Sequence, residues 1–151
     1  MNYIAIETST NICSVALFKD KHLIDIIENE KKHSHSKELA VFVNKLLNSN
    51  DILINEINYI ALSSGPGSFT GLRIGSSLSK GIAFSLDIPL VMVPTLHSLE
   101  SSISILKKHN VCIFSHSDQI YFQTFENKKY ISEIKLVSIE EMQLKKEFFF
   151  G

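Results

Sequence analysis

A chain of 151 residues with 44% hydrophobic content has the apolar material for one full domain, or one domain and the beginning of another, and is not a disordered segment. A formal net charge of −1 gives no general attraction to phosphate, which argues against unaided, high-affinity binding of nucleic acid while leaving room for a local basic patch. The two cysteines, Cys13 and Cys112, fit neither a metal spacing nor a disulfide framework and read as reduced thiols.

The chain opens Met-Asn-Tyr-Ile-Ala-Ile-Glu, without the basic start and long apolar core of a signal peptide, and no apolar run is long enough to span a bilayer. The expectation is a soluble, cytoplasmic protein. Tyr3 to Ile6 reads as a central strand, Glu7-Thr8-Ser9-Thr10 as a hydroxyl-rich turn, and Cys13 to Phe18 as a second strand. Asp20-Lys21 marks another turn, and His22 to Glu28 a third strand. Lys31 to His35 is polar and leads into a helix with Ser36 as its N-cap and Leu39, Val43, Leu46 and Leu47 at helical spacing. His33 and His35, two apart with no third ligand at suitable spacing, read as loop histidines rather than a zinc site.

Asn58 to Ser63 is a short apolar run suited to a buried strand, and Gly65-Pro66-Gly67 must end it. Five of the six glycines (Gly65, Gly67, Gly71, Gly75, Gly81) and the only arginine, Arg73, fall between residues 65 and 81. Ser68 or Thr70 would cap a following helix, so that strand, glycine turn and helix aim free N–H groups at one point, where an anion or a partner's backbone could approach. The spacing fits neither the dinucleotide loop nor the Walker loop. On the helix, Gly71, Gly75, Ser79 and Ala83 recur every four residues as a ridge almost without side chains, beside an Ile74, Leu78, Ile82 stripe expected to face the sheet. Such a ridge admits a second backbone, either a partner helix, which is the preferred reading, or the chain's own sheet. Arg73 offers a rigid fork for a carboxylate or for loop carbonyls, or else is a solvated surface arginine.

Leu90 to Val93 reads as a further buried strand, and Thr95 as the cap of a helix whose face carries Leu96, Leu99, Ile103 and Leu106. This gives a βββαβαβα unit with a mixed sheet. Three strands follow, Val111 to Ser115, Ile120 to Phe125 and Tyr130 to Val137. The chain then reaches Phe148-Phe149-Phe150, an apolar triple expected to pack inward or against a partner. The expected organisation is a domain over 1–106 and an incomplete second domain over 107–151.

The run Gly65-Pro66-Gly67-Ser68-Phe69-Thr70-Gly71-Leu72-Arg73-Ile74-Gly75 resembles the signature of the bacterial TsaB (YeaZ) family, and the Thr8-Ser9-Thr10 turn and the His35-Ser36 helix start fall where that family places similar residues. The resemblance covers roughly Met1 to Leu106. It implies a ribonuclease-H-like, three-layer α/β domain of the actin-like ATPase and sugar-kinase superfamily, followed by a truncated second domain. It implies a non-catalytic scaffold that binds a TsaD-like enzyme and supports transfer of a threonylcarbamoyl group to the adenosine beside the tRNA anticodon. The partner surface would comprise Ser36, Leu39, Val43, Thr70, Gly71, Arg73, Gly75, Ser79 and Ala83, with Gly65, Pro66, Gly67, Ser68 and Phe69 as the motif loop. A TsaE-like ATPase is a further implied partner, tRNA would be met only through the complex, and a homodimer would form where the partner is absent.

No catalytic residue and no metal site are expected. The His-x-x-x-His pair with which the TsaD family holds its metal does not occur, and the Asp-Ala-Arg element usual in the TsaB family's second domain is replaced by Ile113-Phe114-Ser115-His116-Ser117-Asp118. The alternative is an ATP-binding kinase or ATPase of the same superfamily, with ATP or ADP phosphates held by Glu7, Thr8, Ser9 and Thr10.

Overall fold

The computed structural model describes residues 1–30, 35–143 and 148–150, which divide into two compact units. The first comprises Met1–Ser64 and Phe69–Val93; the second comprises Gly65–Ser68 and Pro94 onward.

The first unit is a five-stranded mixed sheet with two helices. Its strands are β1 (Asn2–Glu7), β2 (Cys13–Lys19), β3 (His22–Asn29), β4 (Ile57–Ser63) and β5 (Leu90–Val93), in the order β3-β2-β1-β4-β5. β1, β2 and β3 pair antiparallel as successive hairpins; β4 joins β1 parallel, and β5 joins β4 parallel. The hairpin turn at Asp20 and Lys21 takes positive φ at both residues, 49° and 72°, the geometry that matches the right-handed twist of the flanking strands. Alternation along each strand sends Ile4, Ile6, Val15, Leu17, Ile60 and Leu62 to one face. There they meet Leu39, Val43 and Leu46 of α1 (His35–Ser49) and the small-residue side of α2 (Phe69–Leu86) in one core.

Both helices end on an aspartate in the left-handed region, Asp51 at φ 54° and Asp87 at φ 53°. The N–H groups of Ile52 and Ile88 then return to the carbonyls of Leu47 and Ala83. Ser36 is the second residue of α1 rather than its cap, because the helix already begins at His35. α2 begins at Phe69, so of the two expected caps Ser68 immediately precedes the helix and Thr70 lies inside it.

The second unit is a second sheet between two short helices. β6 (His109–His116) and β7 (Gln119–Glu126) form its centre, and β10 (Phe148–Phe150) lies parallel to β6. α3 (Thr95–Ser101) contributes Leu96, which packs with Val111, Ile113 and Phe125 on one face. Cys112, Ile120 and Phe122 meet Met142 of α4 (Ile139–Gln143) on the other.

Two expectations are corrected here. The boundary falls at Pro94 instead of after Leu106, because Leu96, Leu99 and Ile103 pack on β6 and β7. Thr95 is correspondingly the first residue of α3, after an extended Pro94. The single strand expected over Tyr130 to Val137 is two, β8 (Lys129–Tyr130) and β9 (Lys135–Ser138), both paired to β7. They are separated where the Ser132 hydroxyl accepts from the N–H of Thr124 at 3.0 Å, replacing a ladder bond. Among the described residues no helix is long and apolar enough to cross a membrane.

Candidate functional site

The glycine turn reverses the backbone in a way that side chains resist. Gly65 and Gly67 take φ of 97° and 154°, angles that a Cβ makes costly, and the intervening Gly65–Pro66 bond is cis. The turn is half-buried, and the Gly65 carbonyl accepts from the N–H of Thr95 at 2.9 Å.

Along α2, the expected assignment of faces is reversed. Gly71, Gly75, Ser79 and Ala83 are all buried, and the ridge lies against the chain's own sheet. A Cβ placed on Gly75 would stand 2.4 Å from Thr8 Oγ1 and 3.2 Å from Leu62 Cδ1, so only glycine lets the helix sit this close to β4 and the turn after β1. Those four residues are therefore not a surface for a partner helix, whereas Leu39 and Val43, core residues at 1% and 4% exposure, also line clefts between the helices. Ile74, Leu78 and Ile82, expected to face the sheet, are only partly buried. They sit one residue along from the ridge, roughly 100° around the helix, which turns them towards α1. Gly81 is exposed, and a Cβ placed on it would stand in open space.

What the two helices leave open is a cleft of about 370 Å³, walled by Ser36, Leu39 and Ala40 of α1 and by Arg73, Ser77 and Leu78 of α2. Ala40 and Leu78 are shared with a second cleft of about 430 Å³ that runs on past Val43 and Leu47 to Leu53 and Ile54. The two clefts adjoin at Ala40 and Leu78, along the seam between the helices and on to the segment after α1. Of the expected interface residues, Ser36, Thr70 and Arg73 are exposed. The Arg73 guanidinium lies 5.3 Å from the ring centre of the exposed Phe69, and among the described residues no carboxylate pairs with it. Phe84, 91% exposed, extends the outward face of α2 beyond Arg73 and Ser77. The sequence reading missed Ala40, Ser77 and Phe84; the signal available was a small residue on each helix one position from its apolar stripe.

The turn expected to meet phosphate is closed. Thr8 and Ser9 have no exposed surface, and neither hydroxyl has a hydrogen-bond partner among the described residues. The Ser9 N–H donates to Glu7 Oε1 at 2.5 Å, and Thr10 Oγ1 accepts from the N–H of Ile12 at 3.0 Å. The Thr8 and Ser9 hydroxyls expected to meet phosphate are thus turned into the protein, with Thr8 Oγ1 against Gly75, while Glu7 and Thr10 are partly exposed.

His35 is buried, with Nε2 within 3.1 Å of the Thr10 carbonyl and 3.3 Å of the Ile12 carbonyl, tying the start of α1 to the same turn. Lys31, Lys32 and His33 lie outside the described residues, and no group of three potential ligands gathers among those described. Burial, with a lesser contribution from the Glu38 charge, pushes the Cys13 thiol up to about 11, and burial alone pushes Cys112 to about 11. Both cysteines are free thiols kept protonated, poorly suited to act as nucleophiles.

Successive hairpins feeding parallel strands, in the order β3-β2-β1-β4-β5, define a ribonuclease-H-like fold of the actin-like superfamily. A TsaD family model, described as tRNA N6-adenosine threonylcarbamoyltransferase, matches residues 23–140. The tRNA threonylcarbamoyladenosine biosynthesis protein TsaB of Buchnera aphidicola from Acyrthosiphon pisum is 30% identical over 129 residues, covering 83% of this chain and 58% of that protein. The TsaB protein of Haemophilus influenzae is 28% identical over 136 residues, covering 88% of this chain and 57% of its own length. Among solved structures, YeaZ from Pseudomonas aeruginosa superposes with a TM-score of 0.77 at 24% identity, over 91% of this chain and 67% of that one. The chain belongs to the TsaB (YeaZ) family. It spans about half the length of the curated relatives it matches.

Proposed function

We propose that this chain is a non-catalytic subunit in the formation of threonylcarbamoyladenosine on tRNA, and that it binds a TsaD-like enzyme along the groove between α1 and α2. The observation that carries the reading is the groove itself. Two adjoining apolar clefts, flanked by the exposed Phe69, Arg73 and Phe84, leave unburied a surface that an isolated domain would ordinarily cover. Ala40 and Ser77, small and exposed along its walls, admit a partner helix to close distance, and the exposed Arg73 guanidinium is available to a partner carboxylate. The names of the TsaB relatives supply the process. In this reading the chain holds the enzyme in its competent conformation, stabilising one of its states by differential binding. A TsaE-like ATPase would join the assembly, and two copies of the chain would pair through the same groove where the enzyme is absent.

The test is complementation. Cells depleted of their own TsaB should regain the modified adenosine when they express this chain and should lose it again with Ser77→Arg, a substitution at an exposed position that blocks the groove. Failure of the unaltered chain to restore the nucleoside, with the protein present and folded, would reject the proposal.

A further inference from the structure

β3 ends the order β3-β2-β1-β4-β5, and among the described residues no strand pairs with its outer side. It exposes Leu23, Ile24 and Ile26 to 53%, 45% and 45%, an apolar edge of the kind that invites another strand to extend the sheet.

The register decides which backbone groups face outward there. The N–H of Asp20 donates to the Met1 carbonyl at 3.0 Å, so Ser14, Ala16 and Phe18 turn their N–H and C=O groups to β1. The residues between them, Val15 and Leu17, exchange bonds with Ile27 and Asp25 of β3. Ile26 and Glu28, opposite Ala16 and Ser14, therefore present their N–H and C=O groups to the outside.

On that outer side the Ile26 N–H is already taken, donating to Asp25 Oδ1 at 2.8 Å. The same carboxylate is held through Oδ2, which accepts from Asn50 Nδ2 at 3.0 Å. The Asn50 amide in turn donates to the Leu46 carbonyl, in the last turn of α1, at 2.8 Å. Asp25 stands opposite Leu17, on the helix side of the sheet, and an inward-pointing charge is one way in which an edge is blunted. A bulge adds to the obstruction: Leu17 faces Asp25 and Phe18 faces Leu23, which leaves Ile24 with no opposite residue.

The strand that fits this edge is another β3. The exposed Lys21 and His22 stand at one end of it and the exposed Glu28 and Glu30 at the other, while Asp20 is paired with the Met1 amino group. An antiparallel copy related by a two-fold axis near Ile26 sets each basic end against an acidic one. The centre of that pairing needs the Ile26 N–H of both copies, the groups that Asp25 occupies. We propose that Asp25 guards the free edge of the first sheet and keeps a second copy of this chain from extending it through β3. The edge shares no residue with the clefts between α1 and α2.

Two measurements test the inference. Amide hydrogen exchange in dilute protein should be slow at Ile26 in the unaltered chain and fast in Asp25→Ala, with Ile27, bonded to β2, slow in both. Sedimentation equilibrium in a Ser77→Arg background should show self-association at least about tenfold tighter in Asp25→Ala than with Asp25 intact. Both proteins carry the closed groove, so failure of the pairing proposed above leaves this comparison unaffected. Adding Ile26→Lys to Asp25→Ala should reverse the gain, because a lysine on the edge repels its own copy. Fast exchange at Ile26 in the unaltered chain would overturn the inference, whatever the folding of the variants. So would unchanged self-association in an Asp25→Ala protein of parental Tm, or a tighter association that Ile26→Lys leaves in place.

Discussion

The same substitution at two glycines of α2 should have opposite signs. Gly81 is exposed in a helix interior with open space where a Cβ would go, so Gly81→Ala gains helix propensity and loses nothing. The expected stabilisation is about 1 kcal/mol. Gly75→Ala gains the same propensity but drives a methyl to 2.4 Å from Thr8 Oγ1, where real Cβ atoms do not sit. Thr8 is fully buried and short, so the clash moves backbone rather than a flexible tip. Overpacking of this kind costs about 1–3 kcal/mol, and the near-prohibited distance places it high in that range, giving a net loss of about 1–2 kcal/mol. For a unit of this size the two variants should lie on opposite sides of the parent, with Tm shifts of roughly 4–8 °C per kcal/mol.

Thr8→Ala supplies the closing control. It removes the Oγ1 that clashes, a buried hydroxyl without a hydrogen-bond partner among the described residues, and leaves Leu62 Cδ1 at 3.2 Å as the remaining tight contact. Urea denaturation of the two single variants and the double variant should give a coupling of about 1 kcal/mol or more. A Gly75→Ala protein as stable as Gly81→Ala, or strict additivity with Thr8→Ala, would refute the close packing of α2 on the β1 turn.

Three further outcomes are expected. The raised thiols of Cys13 and Cys112 make stability fall as pH rises: their contribution is whole below about 9, where both states are protonated, and is lost towards about 11 as the unfolded chain ionises first. Urea midpoints across that interval should decline less steeply in Cys13→Ala and Cys112→Ala than in the parent. Asp87 closes α2 at φ 53°, so Asp87→Gly should add about 0.5–1 kcal/mol by thermal denaturation; a decrease would point to an unrecognised role for the carboxylate. Arg73→Ala should change stability by less than about 0.5 kcal/mol, since the partner lost among the described residues is the exposed Phe69 ring, yet weaken binding of a TsaD-like enzyme measurably by calorimetry.

The elements of the first unit were legible because each carried its own punctuation. Asp20-Lys21, Gly65-Pro66-Gly67 and Asp87-Ile88-Pro89 stop one element and begin another, and alternation around Ile4, Val15 and Ile60 marks buried strands. The direction of α2 was not legible. A small-residue ridge states that some backbone comes close, but both a partner helix and the chain's own sheet meet that condition, and Thr8 is far from Gly75 in sequence. The boundary at Pro94 was missed for a similar reason. Leu96, Leu99 and Ile103 show an apolar face without saying which sheet receives it.

The groove between α1 and α2 is tested most directly by calorimetric titration of this chain with a purified TsaD-like enzyme, alongside the Ala40→Arg and Ser77→Arg variants. Both positions are exposed, so the variants should fold with parental Tm. The account predicts a complex with the unaltered chain and at least about tenfold weaker binding, 1.4 kcal/mol or more, for each variant. Equal affinity for all three proteins would contradict it, as would the absence of any complex with the unaltered chain.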